Sequence, residues 1–72
     1  MTDDPWSRFC TAFDAARFVD AVLALEELWL PSRDDFYKAL IRISVASNQL
    51  RLGLLSSPRM LLATALELLE PY

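Results

Sequence analysis

The sequence predicts an all-α fold, a small antiparallel bundle of about four helices in one domain spanning 1–72. Three features of the sequence lead there. Gly53 is the only glycine among 72 residues, whereas strands joined by tight turns need more Gly and Asn than that. No segment alternates apolar and polar residues with period two. Apolar residues recur instead at i, i+3, i+4 and i+7 along most of the chain.

The first helix is expected to begin at Pro5, with Asp4 as its cap. Trp6, Phe9, Cys10 and Phe13 then share one apolar stripe. Cys10, between Phe9 and Phe13, reads as a buried small hydrophobe. Around Asp14-Ala15-Ala16 the first helix either breaks, with Asp14 capping the next, or runs on. A break is favoured, because an unbroken helix to Trp29 is long for so short a chain. The second helix carries Phe18, Val22, Leu25 and Trp29 on one face, and Val19, Leu23 and Leu30 widen it. Arg17, Asp20 and Glu27 are left for water. Pro31 is expected to end this helix, since the residue before a proline avoids the helical region.

Ser32-Arg33-Asp34-Asp35 resembles a capping box, and a third helix is predicted from Arg33 to about Leu52. Phe36, Leu40, Ile43 and Leu50 line one side of it, and Tyr37, Ile41, Val45 and Leu52 another. A helix apolar over so much of its girth belongs in the centre. Gly53 is a natural stop. Ser56-Ser57-Pro58 is expected to open the fourth helix, with Ser57 as its cap and Pro58 in the first position; its main stripe is Leu62, Ala65, Leu66 and Leu69, with Met60, Leu61 and Leu68 as a second. Pro71 stops it. No linker, low-complexity tract or internal repeat interrupts the pattern.

Composition excludes several chemistries. There is no histidine, so a Ser-His-Asp or Cys-His site cannot be built within one chain. The usual zinc patterns need His or several Cys, and only Cys10 is present, which also rules out an internal disulfide. No cofactor or metal is expected. A single cysteine fits a reducing compartment, so the expected location is cytoplasmic. Ten acidic residues against seven basic ones give a net charge of −3 and a pI near 4.6. The basic residues form no run, so neither nucleic acid nor an anionic membrane is an expected partner. The acidic opening Met1-Thr2-Asp3-Asp4 does not read as a secretory signal. The longest apolar runs fall far short of the roughly 20 residues a membrane span needs.

Phe18–Trp29 reads F-V-D-A-V-L-A-L-E-E-L-W. It resembles the small helical domain of unknown function 309 family, whose signature has the form F-F-E-A-H-E-x-L-E-x-x-W followed by a helix of the type F-x-x-G-L-I-Q-x-A. Phe36-Tyr37-Lys38-Ala39-Leu40-Ile41-Arg42 sits where the second element falls. The resemblance runs from Phe9 to Leu69, and Glu26, Trp29, Phe36, Leu40 and Ile41 match it. Val22 stands in place of the histidine, Arg42 in place of the glutamine, and Ala16 in place of a glycine before the second helix. The resemblance implies a helical fold and marks Glu26 and Trp29 as notable positions. It implies no reaction.

Glu26 lies near the apolar face of the second helix and Arg42 lies among Ala39, Ile43 and Ala46 on the third. A lone buried carboxylate is costly and needs a partner, so a Glu26–Arg42 pair fixing helix register is the expectation. A ligand site would use Glu26 as base or anchor, Arg42 as anion clamp and Trp29 as wall. Trp6 and Trp29 read more simply as core anchors. Ser44, Ser47, Asn48 and Gln49 read as the wet side of the third helix. Asp3-Asp4 and Asp34-Asp35 sit at helix starts, where acids complement the dipole. Glu67 and Glu70 read as a solvated face. Hydrophobic residues make up 54% of the chain, more than the usual 45–50% or so. A domain this small buries only about 60% of its unfolded surface. The expected function is therefore a non-catalytic interaction or self-association module, a dimer or a bound protein partner covering Met60, Leu61, Leu68, Val45 and Leu52.

Overall fold

A computed structural model describes residues 4–54 and 56–72, so Asp3 lies outside the described residues. Among the described residues four helices account for the fold: α1 (Pro5–Asp14), α2 (Phe18–Ser32), α3 (Asp35–Arg51) and α4 (Ser56–Leu69). Asp4 caps α1 as expected. Its carboxylate accepts from the Ser7 amide at 2.9 Å and from the Ser7 hydroxyl at 3.0 Å, with Pro5 in the first turn.

The break after α1 is real, but Asp14 does not cap α2. The chain turns instead at Ala16, whose φ of 58° is left-handed. Arg17 N–H reaches Ala12 O at 2.8 Å and Ala16 N–H reaches Phe13 O at 3.0 Å. This is the Schellman closure, which usually places glycine at the left-handed position. The end of α3 has the same geometry with the usual residue. Gly53 takes φ 85°, and Leu54 N–H and Gly53 N–H reach Gln49 O and Leu50 O.

Pro31 does not end α2; the helix runs one residue further. Proline removes only its own N–H, and the last carbonyls find other donors. The Ser32 hydroxyl donates to Leu28 O, Arg33 N–H to Trp29 O and Arg33 Nε to Leu30 O. Ser32 is thus the end of α2 and not the cap of α3. Asp34 caps α3 by accepting from Phe36 N–H at 3.0 Å, so α3 starts two residues later than expected. Helix α4 begins at Ser56, within the expected Ser56-Ser57-Pro58 start, so Ser57 lies inside the helix and is not its cap; Pro58 is in the first turn and buried. The position before Ser56 lies outside the described residues.

Helices that follow one another in the chain pack together: α1 on α2, α2 on α3, α3 on α4. Each pair is antiparallel. Arg8 meets Glu27 across α1 and α2, Phe18 and Val19 lie beside Asn48 and Arg51 across α2 and α3, and Arg42 meets Thr64 across α3 and α4. α2 and α3 are therefore central, and α1 and α4 are edges. The molecule measures only 17 Å along its shortest axis.

Alanine fills the core. Six of the nine buried apolar residues described are alanine: Ala12, Ala21, Ala24, Ala39, Ala46 and Ala65, with Phe9, Leu25 and Pro58 completing the set. Small side chains at the crossings let helices approach toward the short end of the usual 8–10 Å or so. The larger residues are displaced outward. Val19, Leu23 and Leu30 do not widen a buried face of α2, and Leu50 and Leu66 leave the stripes assigned to them; all five are exposed. Cys10 is exposed as well, because α1 packs on one neighbour through Phe9, Ala12 and Phe13 and Cys10 points off that face. Trp6 is likewise no core anchor: it lies part-exposed against Phe9 and Phe36.

Ala16 offers a direct test. A left-handed non-glycine residue costs roughly 1–2 kcal/mol, and the Ala16 side chain is not needed in the core. Ala16→Gly is expected to raise unfolding stability by about 1 kcal/mol, less some gain in unfolded-chain entropy, as read by urea denaturation. A destabilised variant would mean that the α1–α2 turn does not adopt this geometry.

Candidate functional site

The structure does not join the two charges that the sequence paired. No ion pair or hydrogen bond joins Glu26 to Arg42. Arg42 faces away from α2, toward α4. Its guanidinium donates to the Thr64 hydroxyl at 2.8 Å, and that hydroxyl donates in turn to Leu61 O at 3.0 Å. Arg42 therefore ties α3 to α4. Glu26 is half-buried on α2. Trp29, near the end of α2, is half-buried with the Arg33 guanidinium 4.4 Å above its ring. That stacking covers a face that a ligand would need.

The one ion pair among the described residues lies elsewhere. Arg8 on α1 holds Glu27 on α2 through two contacts, 2.8 and 2.7 Å long, in the forked geometry that guanidinium and carboxylate favour. Both side chains remain well exposed. The hydrogen bond from Arg8 holds the Glu27 carboxyl below its ordinary value of 4.5. A sequence signal for this pair existed. Once the chain reverses at 15–17, Arg8 and Glu27 stand about two turns on either side of the reversal.

A second clasp closes the C-terminus onto the start of α3. The Tyr72 hydroxyl donates to Asp34 at 2.7 Å. That bond, with the Phe36 amide, holds the Asp34 carboxyl below its ordinary value of 3.8, and the same carboxylate raises the Tyr72 hydroxyl above 10.0. Tyr72 also packs against Phe36, whose ring meets Trp6. From there the rings continue through Phe9 and Phe13 to Phe18. One aromatic string thus links α1, α2, α3 and the tail.

An open cleft of about 490 Å³ lies between α3 and α4, bordered by Arg42, Gln49, Ser56, Ser57, Met60, Leu61 and Thr64. Gln49 Oε1 is buried without a partner, as is Trp29 Nε1, each at a cost of about 1–3 kcal/mol. Ser44 is not on a wet side. It is wholly buried, and its hydroxyl donates to Leu40 O at 2.9 Å. Among the described residues no three side chains converge as a metal cage requires, and no helix is long and apolar enough to cross a membrane. Of the interface candidates, Met60 and Leu52 are exposed, and Val45, Leu61 and Leu68 are half-buried.

Two measurements follow from this geometry. In double-mutant cycles on stability, Arg42→Met with Thr64→Val is expected to show coupling of about 0.5–1.5 kcal/mol. Arg42→Met with Glu26→Gln is expected to stay below about 0.5 kcal/mol; strong coupling there would mean that the two charges do meet. The second measurement is stability against pH. Asp4, Glu27 and Asp34 all have folded values lowered by hydrogen bonds to the charged form, led for Asp4 by the Ser7 amide. Lowered carboxyl groups stabilise fully above their unfolded values and lose that contribution as pH falls through the folded ones. With no histidine to titrate, the melting temperature is expected to be flat from pH 8 to about 5.5 and to fall steadily below about 4.5. Glu27→Gln should shrink that acid loss; an unchanged acid limb would remove the Arg8 pair from the account.

Comparison of the chain with known protein families, with characterised proteins and with solved structures returns no match.

Proposed function

We propose that this chain is a non-catalytic helical module for self-association or for binding another protein. One observation carries the reading: alanines occupy the core while Leu52, Leu54, Met60 and Leu66 are each at least half exposed. Large exposed apolar side chains on an edge helix and its adjoining turn are the ordinary mark of an association surface. A cytoplasmic setting belongs to the same reading, since Cys10 is a free, exposed thiol that an oxidising compartment would threaten.

A ligand-binding domain is the second reading, and it keeps only Arg42 of the three residues first grouped. The α3–α4 cleft brings Arg42 and the unpartnered Gln49 oxygen to one wall. Against that reading, Arg42 is already engaged by Thr64, and neither Glu26 nor Trp29 borders the cleft.

The test separates association from folding. In the triple variant Leu52→Gln, Met60→Gln and Leu66→Gln, each change is expected to alter stability by no more than about 0.5 kcal/mol. The native wild-type chain should bind an apolar dye that the triple variant does not. A loss of about 2 kcal/mol per residue would make these side chains core and sink the reading, as would a native wild-type chain that binds no dye at concentrations where it is monomeric.

A further inference from the structure

Helix α4 packs on α3 through Pro58 and Ala65, which leaves its opposite face open. Arg59, Met60, Ala63, Leu66 and Glu67 are all exposed on that face. Their spacing is symmetric. Met60 and Leu66 stand three residues before and after Ala63, and Arg59 and Glu67 stand four before and after it. At about 1.5 Å rise per residue, each pair lies at equal height on either side of Ala63.

We infer that a second copy of this chain docks on this face, its α4 antiparallel to the first, with the twofold axis passing beside Ala63. This rests on reading the chain as an association module and names the partner. Such an axis sets Met60 level with Leu66 of the second copy and Arg59 level with Glu67 of the second copy, and each contact occurs twice. Alanine at the crossing lets the helices come close. Both charges are free for the contact, because the one ion pair among the described residues is Arg8–Glu27. A parallel arrangement would set Arg59 against Arg59 and Glu67 against Glu67, and that repulsion disfavours it.

The helix dipole supplies an independent reason. α4 has no acidic residue in its first turn and no basic residue in its last. Arg59 sits toward its N-terminal end and Glu67 toward its C-terminal end, the reverse of what the helix's own dipole favours. An antiparallel neighbour reverses the field. Arg59 then faces the negative end of the second helix and Glu67 the positive end. One face of a short helix is small beside the standard interface of about 800 Å² per partner, so the dimer is weak and exchanges quickly.

The experiment is sedimentation equilibrium of the full chain from micromolar to millimolar concentration. The wild type is expected to pass reversibly from monomer to dimer. Arg59→Glu and Glu67→Arg each place like charges at both contacts and should weaken association about tenfold or more. Mixed in equal amounts, the two variants carry opposite charges at both contacts, and dimer should return to within a few-fold of the wild-type affinity. Both substitutions are at exposed positions, and circular dichroism checks that each variant is folded. A wild-type monomer throughout the range overturns the inference. So does a dimer that the single variants leave intact, or one that the mixture fails to restore. In any of these cases the broader association reading is decided separately by the melting and dye comparison of the triple glutamine variant.

Discussion

The burial of alanine between the helices is the constraint from which the rest of this molecule follows. Ala21, Ala39 and Ala46 are wholly buried, and Ala12, Ala24 and Ala65 nearly so. Side chains of that size leave little room between helices, and close-packed interiors do not tolerate voids. Larger residues are therefore carried to the seams and edges. Leu25 alone among the described leucines is fully buried, and Phe9 is the one large ring in the core. A thin layer of helices results, each leaning on its neighbours in the chain, with a long perimeter for its mass.

A core of alanine contributes little hydrophobic stabilisation per residue, since free energy scales with the apolar area removed from water. Connections outside the core then matter more. The aromatic string from Phe18 through Phe13, Phe9 and Trp6 to Phe36 and Tyr72 joins α1, α2, α3 and the tail. Ring pairs of this kind contribute about 0.5–1.5 kcal/mol each beyond area. Arg8–Glu27 closes α1 onto α2, Arg42–Thr64 closes α3 onto α4, and Asp34–Tyr72 pins the tail. These polar ties join neighbouring elements and not a ligand, which is why the charged residues here argue for architecture before chemistry.

The functional reading grows from the same geometry. Edge helices of an open layer have one packed side and one free side, and α4 is such an edge. Its free side carries methionine, leucine and a symmetric pair of opposite charges around a small central residue. A surface of that kind suits another helix better than a small molecule, because it offers length and complementarity in place of enclosure. The open α3–α4 cleft beside it presents Arg42, yet Thr64 already uses that guanidinium.

Local signals were legible in the sequence, and they were the ones that act over a single turn. Asp4 with Pro5 marked the start of α1, Gly53 marked the end of α3, and apolar periodicity marked four helices. Where a local rule failed, a neighbour supplied what the rule assumed absent: Ser32 and Arg33 satisfied the carbonyls that should have ended α2 at Pro31, and Ala16 took the conformation usually left to glycine. Only the tertiary structure decided which apolar stripe goes inward, and so exposed Leu66, Val19 and Cys10, and which way Arg42 turns. Periodicity defines a face but not its neighbour, and in a chain that is apolar around most of each helix several faces compete. The size of the side chains at the crossings, not their hydrophobicity, settled the choice.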